Sequence, residues 1–172
     1  IIPPAQKELF TWDSDTVISG LTADGIAEVK ANGGHLVIPE GVTEIASPSF
    51  NAETGEGALD KGFSPYVIGK LDVATATEQQ IIENSIITIV SFPSTLLKIG
   101  RFTFYNSANL SGLLFIPSNV VEVGMQAFGL DDYVFENKIT IISISGGLTF
   151  YPEDNRGMGS FHGRITPAIR AE

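Results

Sequence analysis

Apolar positions in this chain recur over a long interval. The segments Leu36–Phe50, Val90–Phe104 and Leu114–Phe128 align without a gap on their prolines, Pro39, Pro93 and Pro117. With each proline as zero, position −3 is Leu36, Val90 and Leu114, and position −1 is Ile38, Phe92 and Ile116. Position +3 is Val42, Leu96 and Val120; +6 is Ile45, Ile99 and Val123; +11 is Phe50, Phe104 and Phe128. Apolar offsets shared by three copies mark an internal repeat. Positions −3 and −1 lie two apart, so they face one side of a strand and enter a core together. Proline then stops the ladder, and the later offsets return apolar side chains to the interior, where the phenylalanines are expected to stack.

Two degraded copies are read at Leu71–Ala74 and Ile142–Ser145, where the strand pattern persists and the proline is lost. The register positions become 39, 74, 93, 117 and 145, with an insertion at about 51–64, where Gly55, Gly57 and Gly62 read as loop. One unit cannot bury its inner face alone, so each end needs a different element. Thr22 as N-cap, Asp24 in the first turn and Gly33-Gly34 as a stop predict a short capping helix, with Ile26 and Val29 facing the first coil. A short strand at 16–19 precedes it. The turn-rich stretch 151–160 ends the repeat, and 165–172 reads as a fraying tail. Three parts are therefore expected: an N-terminal capping segment over 1–34, repeats over 35–150, and a C-terminal cap and tail over 151–172.

Length and composition agree with one folded body: 172 residues, 43% hydrophobic and 17% charged, suffice for a real core and exclude disorder along the whole chain. The net charge of −10 has the wrong sign for general phosphate-backbone binding, so no nucleic-acid partner is expected. Residues 1–60 hold ten acidic side chains against Lys7 and Lys30, which leaves −2 for the other 112. Such dispersed carboxylates read as a solvated face or as a surface for cations or basic partners. With no cysteine there are no disulfides, thiolate metal sites or cysteine nucleophiles. No apolar run approaches the roughly 20 residues of a membrane-spanning helix. The opening Ile1-Ile2-Pro3-Pro4 has neither methionine nor leader character, so the sequence reads as trimmed, with any export signal outside it.

The unit Leu114–Phe128 resembles the BspA-like leucine-rich repeat, approximately L-x-I-P-x-x-V-x-x-I-G-x-x-A-F. Val90–Phe104 matches with Ile99-Gly100 and Thr103-Phe104, whereas Leu36–Phe50 replaces the glycine by Ala46 and the alanine by Ser49. The resemblance covers about residues 35–150. It implies an α/β, β-rich repeat solenoid: a right-handed, leucine-rich-repeat-like stack of short parallel strands with irregular or short helical returns and an N-terminal capping helix. It also implies a secreted or cell-surface bacterial protein of the kind linked to adhesion, and it supplies no active-site residues.

Between the two inward strand positions lies one outward position, −2, which reads Val37, Asp72, Ser91, Phe115 and Ser143 across the five units. In stacked repeats such a stripe is the variable surface on which partners dock. Val37 and Phe115 read either as apolar anchors or as side chains covered by a loop or the leader. No catalytic, cofactor-binding or metal-binding residue is assigned. His35 and His162 belong to no metal or triad spacing. Twenty acidic residues supply many carboxylate pairs, none in a recognisable glycosidase setting. Asp131-Asp132 and Glu153–Asn155 lack the alternation of an EF-hand loop. Trp12 reads as leader packing before sugar stacking, and residues 18–25 lack the spacing of a phosphate loop. The expected function is a non-enzymatic binding module for a protein, matrix component or glycan. A spacer or scaffold segment is the alternative, and a glycoside hydrolase is less favoured.

Overall fold

The computed structural model describes residues 2–51, 53–145, 147–152, 159–164 and 169–171. In chain order the elements are α1 (Pro4–Lys7), β1 (Phe10–Trp12), β2 (Val17–Leu21), α2 (Ala23–Ala31), β3 (His35–Val37) and β4 (Glu44–Ile45). There follow α3 (Pro65–Ile68), α4 (Glu78–Asn84), β5 (Ile89–Ser91), β6 (Lys98–Ile99) and β7 (Ser111–Phe115). The last are β8 (Glu122–Val123), β9 (Lys138–Ile144), β10 (Thr149–Phe150) and β11 (Ile169–Ala171). The protein is mixed α/β, rich in parallel strand pairs and with few helices.

Two ladders organise it. Strands β2, β4, β6, β8 and β10 pair in parallel in chain order, with β1 antiparallel on the outer side of β2. The strands between them in the sequence form the other: β3 pairs with β5, and β7 with β9 and β9 with β11, all parallel. Ser111 N donates to Thr88 O (2.9 Å) where the two groups meet. The repeat offsets are the pairing registers, since Leu36 faces Val90, Leu114 faces Ile142, and Ile45, Ile99 and Val123 fall on one rung. Side chains at −3, +3 and +6 are buried in all three aligned units and form the main core.

Each proline closes the same turn: Val42, Leu96 and Val120 N–H donate to Pro39, Pro93 and Pro117 carbonyls (3.3, 3.2 and 3.1 Å). Neighbouring corners are tied together. The Ser94 backbone N–H and hydroxyl both donate to the Glu40 carboxylate (2.9 and 2.8 Å), which holds that carboxyl below the ordinary glutamate value. Asn119 Nδ2 in turn donates to Ser94 O (2.7 Å).

The glycine at +7 has a steric cause. A Cβ on Gly124 would lie 2.4 Å from Arg101 N, and one on Gly100 would lie 2.7 Å from Ile45 O, because successive turns stack backbone on backbone. Ala46 is tolerated in the first unit because its neighbour is the leader strand β2, where Ala46 N donates to Ile18 O (2.9 Å). Gly124→Ala is expected to destabilise the protein by about 1–3 kcal/mol, measured as a lower urea midpoint at unchanged m-value, while Ala46→Gly stays close to the parent.

Three expectations need correction. Residues 71–74 form a turn and no strand. The Asp72 carboxylate accepts the Ala74 N–H (2.8 Å), and Leu71 and Val73 pack into a second core with Tyr66, Ile81 and Phe102. Consequently β3 pairs directly with β5, and the first unit runs 54 residues from Pro39 to Pro93, with α3 and α4 inside it. Secondly, Phe50 leaves the aromatic stack and packs edge-on against Phe102 (5.4 Å). Phe63 takes its place, 5.6 Å from Phe104, so the insertion lies before the ladder phenylalanine and Phe63-Ser64 belong to the buried interior. Finally, the ladder continues past 150. Phe161 stacks on Phe128 (5.5 Å, 4°), and β11 pairs with β9 at residues read as fraying. Residues 153–158, 165–168 and 172 of the expected cap and tail lie outside the described residues.

The predicted leader is found nearly as read. Thr22 Oγ1 accepts the Gly25 N–H (3.1 Å) at the start of α2, and Gly33 and Gly34 follow at φ 68° and 91°. Val29 is buried in the main core, and Ile26 is half-buried. Gly25 is fixed by a close approach, since a Cβ there would fall 2.0 Å from Leu9 O. Trp12 packs edge-on to Phe10 (6.3 Å), and its Nε1 donates to Lys7 O (2.9 Å).

Candidate functional site

The outward row of the β3–β5 and β7–β9 strands is a surface of unequal parts. Val37 is paired with Ser91 across β3 and β5, and Phe115 with Ser143 across β7 and β9. Alternation along each strand turns Leu36, Val90 and Leu114 inward and these four the other way. Val37 and Phe115 are 49% and 46% exposed, and Ser91 is exposed. Ser143 is 8% exposed: its short side chain lies on a strand flanked on both sides, by β7 with Phe115 opposite and by β11. Asp72 does not join this row, since it sits in the exposed turn after α3.

Two strand positions earlier, a second outward row runs beside the first. Position −4 is His35, Ile89, Leu113 and Ile141, with His35 paired to Ile89 and Leu113 to Ile141. Ile89 is 42% and Leu113 51% exposed. The face therefore carries four exposed large apolar side chains, Val37, Ile89, Leu113 and Phe115, in two adjacent rows. Large apolar side chains grouped on one face mark an interaction surface more often than scattered ones do. The −4 row was open to sequence reasoning, because these residues occupy one offset of the same alignment, on the same side of the strand as −2.

A polar pair interrupts the apolar rows. His35 Nε2 and Ser91 Oγ are 2.7 Å apart, bridging β3 and β5 on the outward side. His35 is the first residue of β3. His162 is half-buried near the other end, where its carbonyl accepts the Leu130 N–H (2.8 Å). Asp131 caps its own turn, with Oδ1 accepting the Tyr133 N–H (3.3 Å), and no group of three His, Asp or Glu residues suited to a metal ion occurs among the described residues. No helix of the described residues is long and apolar enough to cross a membrane.

Comparison with protein-family models, curated proteins and solved structures finds no match for this chain.

Proposed function

We propose that this chain is a non-enzymatic binding module of a secreted or cell-surface protein, built as a right-handed, leucine-rich-repeat-like solenoid, and that the strand face bearing Val37, Ile89, Leu113 and Phe115 receives its partner. The observation that carries the reading is the grouping of those four exposed apolar side chains on paired strands of one face. The solenoid reading is supported by the chain-order parallel pairing of β2, β4, β6, β8 and β10 and by repeat offsets that coincide with registers. A strand face with exposed apolar side chains and a polar His35–Ser91 rung suits a protein or matrix component: buried apolar anchors dominate such contacts, and polar groups set register.

The test is binding of the purified chain to immobilised matrix proteins and a glycan array, beside the variant Val37→Asp, Phe115→Asp with its fold checked by circular dichroism. Saturable binding that falls by about 2 kcal/mol or more in the variant is the expected outcome. Undiminished binding of a matrix protein by the variant overturns the assignment of this face. Absence of binding to every target favours a spacer segment instead.

A further inference from the structure

On the other ladder the outward row is charged and lies in a groove of about 590 Å³. Glu44, Lys98 and Glu122 occupy one rung of β4, β6 and β8, directly in register. Ile45, Ile99 and Val123 turn into the core beside them, so the charged side chains necessarily point out. Lys98 Nζ lies 3.8 Å from Glu122 Oε2, with both side chains half exposed. The row thus alternates acceptor, donor and acceptor, one inter-strand step of about 4.8 Å apart, with a single net negative charge.

The insertion that breaks the repeat builds one wall. Arg101 Nη2 donates to Pro48 O (2.6 Å), and Arg101 N donates to Ser47 Oγ (3.1 Å), pinning the start of the insertion to the next unit. Beyond that clamp the loop closes on itself, with Asn51 bridging Glu56 and Asn51 Oδ1 accepting the Glu53 N–H (2.9 Å). Phe50 faces the groove from this wall, half-buried and held edge-on by Phe102. Tyr151, 48% exposed, lines the groove from the β10 side, beside the last strand of the ladder. The low floor at Gly100 and Gly124 follows from the close stacking of the turns.

We propose that this groove binds a short neutral oligosaccharide. A pyranose presents hydroxyls around its rim and a C–H face, and about one sugar unit spans one inter-strand step. The carboxylate, ammonium and carboxylate groups on successive strands match the hydroxyls, and the aromatic rings match the C–H faces. An anionic ligand is disfavoured because Lys98 sits between two carboxylates and Arg101 is engaged by the backbone. An extended peptide is disfavoured for a different reason. Strands β4, β6 and β8 are paired on both sides, so they offer no free edge for main-chain addition. The site is separate from the apolar face, and neither reading depends on the other.

The experiment is NMR titration of the ¹⁵N-labelled chain with cellotriose, maltotriose, mannotriose, xylotriose and N,N′,N″-triacetylchitotriose, each to its solubility limit. Saturable shifts at Gly100, Arg101 and Gly124 amides with at least one trisaccharide are expected, weakened about tenfold or more by Tyr151→Ala and by Glu122→Gln. Val37→Asp, Phe115→Asp should leave them unchanged. Because Tyr151 and Glu122 are surface residues, the variants' unperturbed spectra away from the groove serve as the folding control. Absence of saturable shifts with all five sugars overturns the proposal. So does saturation that is indifferent to both groove variants, or a groove response confined to an octalysine or octaglutamate peptide run in parallel.

Discussion

Phe128→Ala is expected to lower the free energy of unfolding by about 4 kcal/mol. Its ring stacks on Phe104 at 5.3 Å on one side and on Phe161 at 5.5 Å on the other, with Phe92 edge-on at 6.3 Å. It is fully buried, and its ring neighbours come from the unit before it and from the chain after it. The stacked turns are held at backbone distance by their ladders, so the cavity has little freedom to collapse. Phe50→Ala removes a ring of the same size from a half-buried position outside the stack and is expected to cost markedly less. Urea unfolding followed by circular dichroism measures both. Equal losses at the two positions would refute the assignment of Phe63 rather than Phe50 to the ladder.

Arg164→Ala is expected to cost about 3 kcal/mol or more. The guanidinium is almost wholly buried, with Nε donating to Phe128 O (3.0 Å), Nη2 to Ser107 O (2.6 Å) and Nη1 to Asn137 Oδ1 (3.3 Å). Burial pulls its pKa down to about 10, still far enough above neutrality to keep it charged. Its partners are neutral oxygens: no salt bridge to Arg164 occurs among the described residues. Two opposing effects therefore meet on truncation. Removing the cation relieves its desolvation, but it also takes the donor from the Phe128 carbonyl, at about 1–3 kcal/mol, and opens a cavity, while Ser107 O and Asn137 Oδ1 keep the Leu110 and Ile139 N–H groups. The stranded carbonyl and the cavity together are expected to win. Arg164→Lys retains the charge without the planar fork and should recover only part of the loss. A melting temperature for Arg164→Ala at or above the parent's would show that the desolvation term dominates. Both residues meet at the Phe128 carbonyl, so the double variant should depart from additivity.

The units with regular spacing were legible because a single alignment carried strand, proline turn and registers together. From Pro93 to Pro117 every buried offset found its rung. The first unit was not, and the reason lies in local chemistry. Leu71 and Val73 have the alternation of a strand, but Asp72 between them accepts a hydrogen bond from its own chain two residues on and turns it. Likewise Phe50 and Phe63 are both plausible ladder members by type, and only the length of the insertion, which no local signal specifies, decides between them. Of the outward row, Val37, Ser91 and Phe115 are exposed as strand alternation implies, whereas Ser143 is buried because exposure at one position depends on the strands beside it. The groove could not be read at all, since one wall is an irregular loop and Tyr151 lies beyond the aligned units. Arg164 gave no signal because a lone arginine near a chain end looks like any solvated cation.

The spacing of Pro93 and Pro117 bears on how this molecule could change size. In the solenoid we propose, the 24 residues from one proline to the next supply the strands β6 and β7, one corner and one phenylalanine of the stack, Phe104, and return the chain to the same place one level higher. A tandem copy of that stretch would meet on both sides the surfaces that its parent already meets. Growth by whole copies is therefore stereochemically cheap, whereas gain or loss of a single residue inside the stretch would turn a row of inward side chains to the outside. The height of the proposed solenoid is in that sense a count of copies, and the irregular first unit takes in extra chain without adding to it.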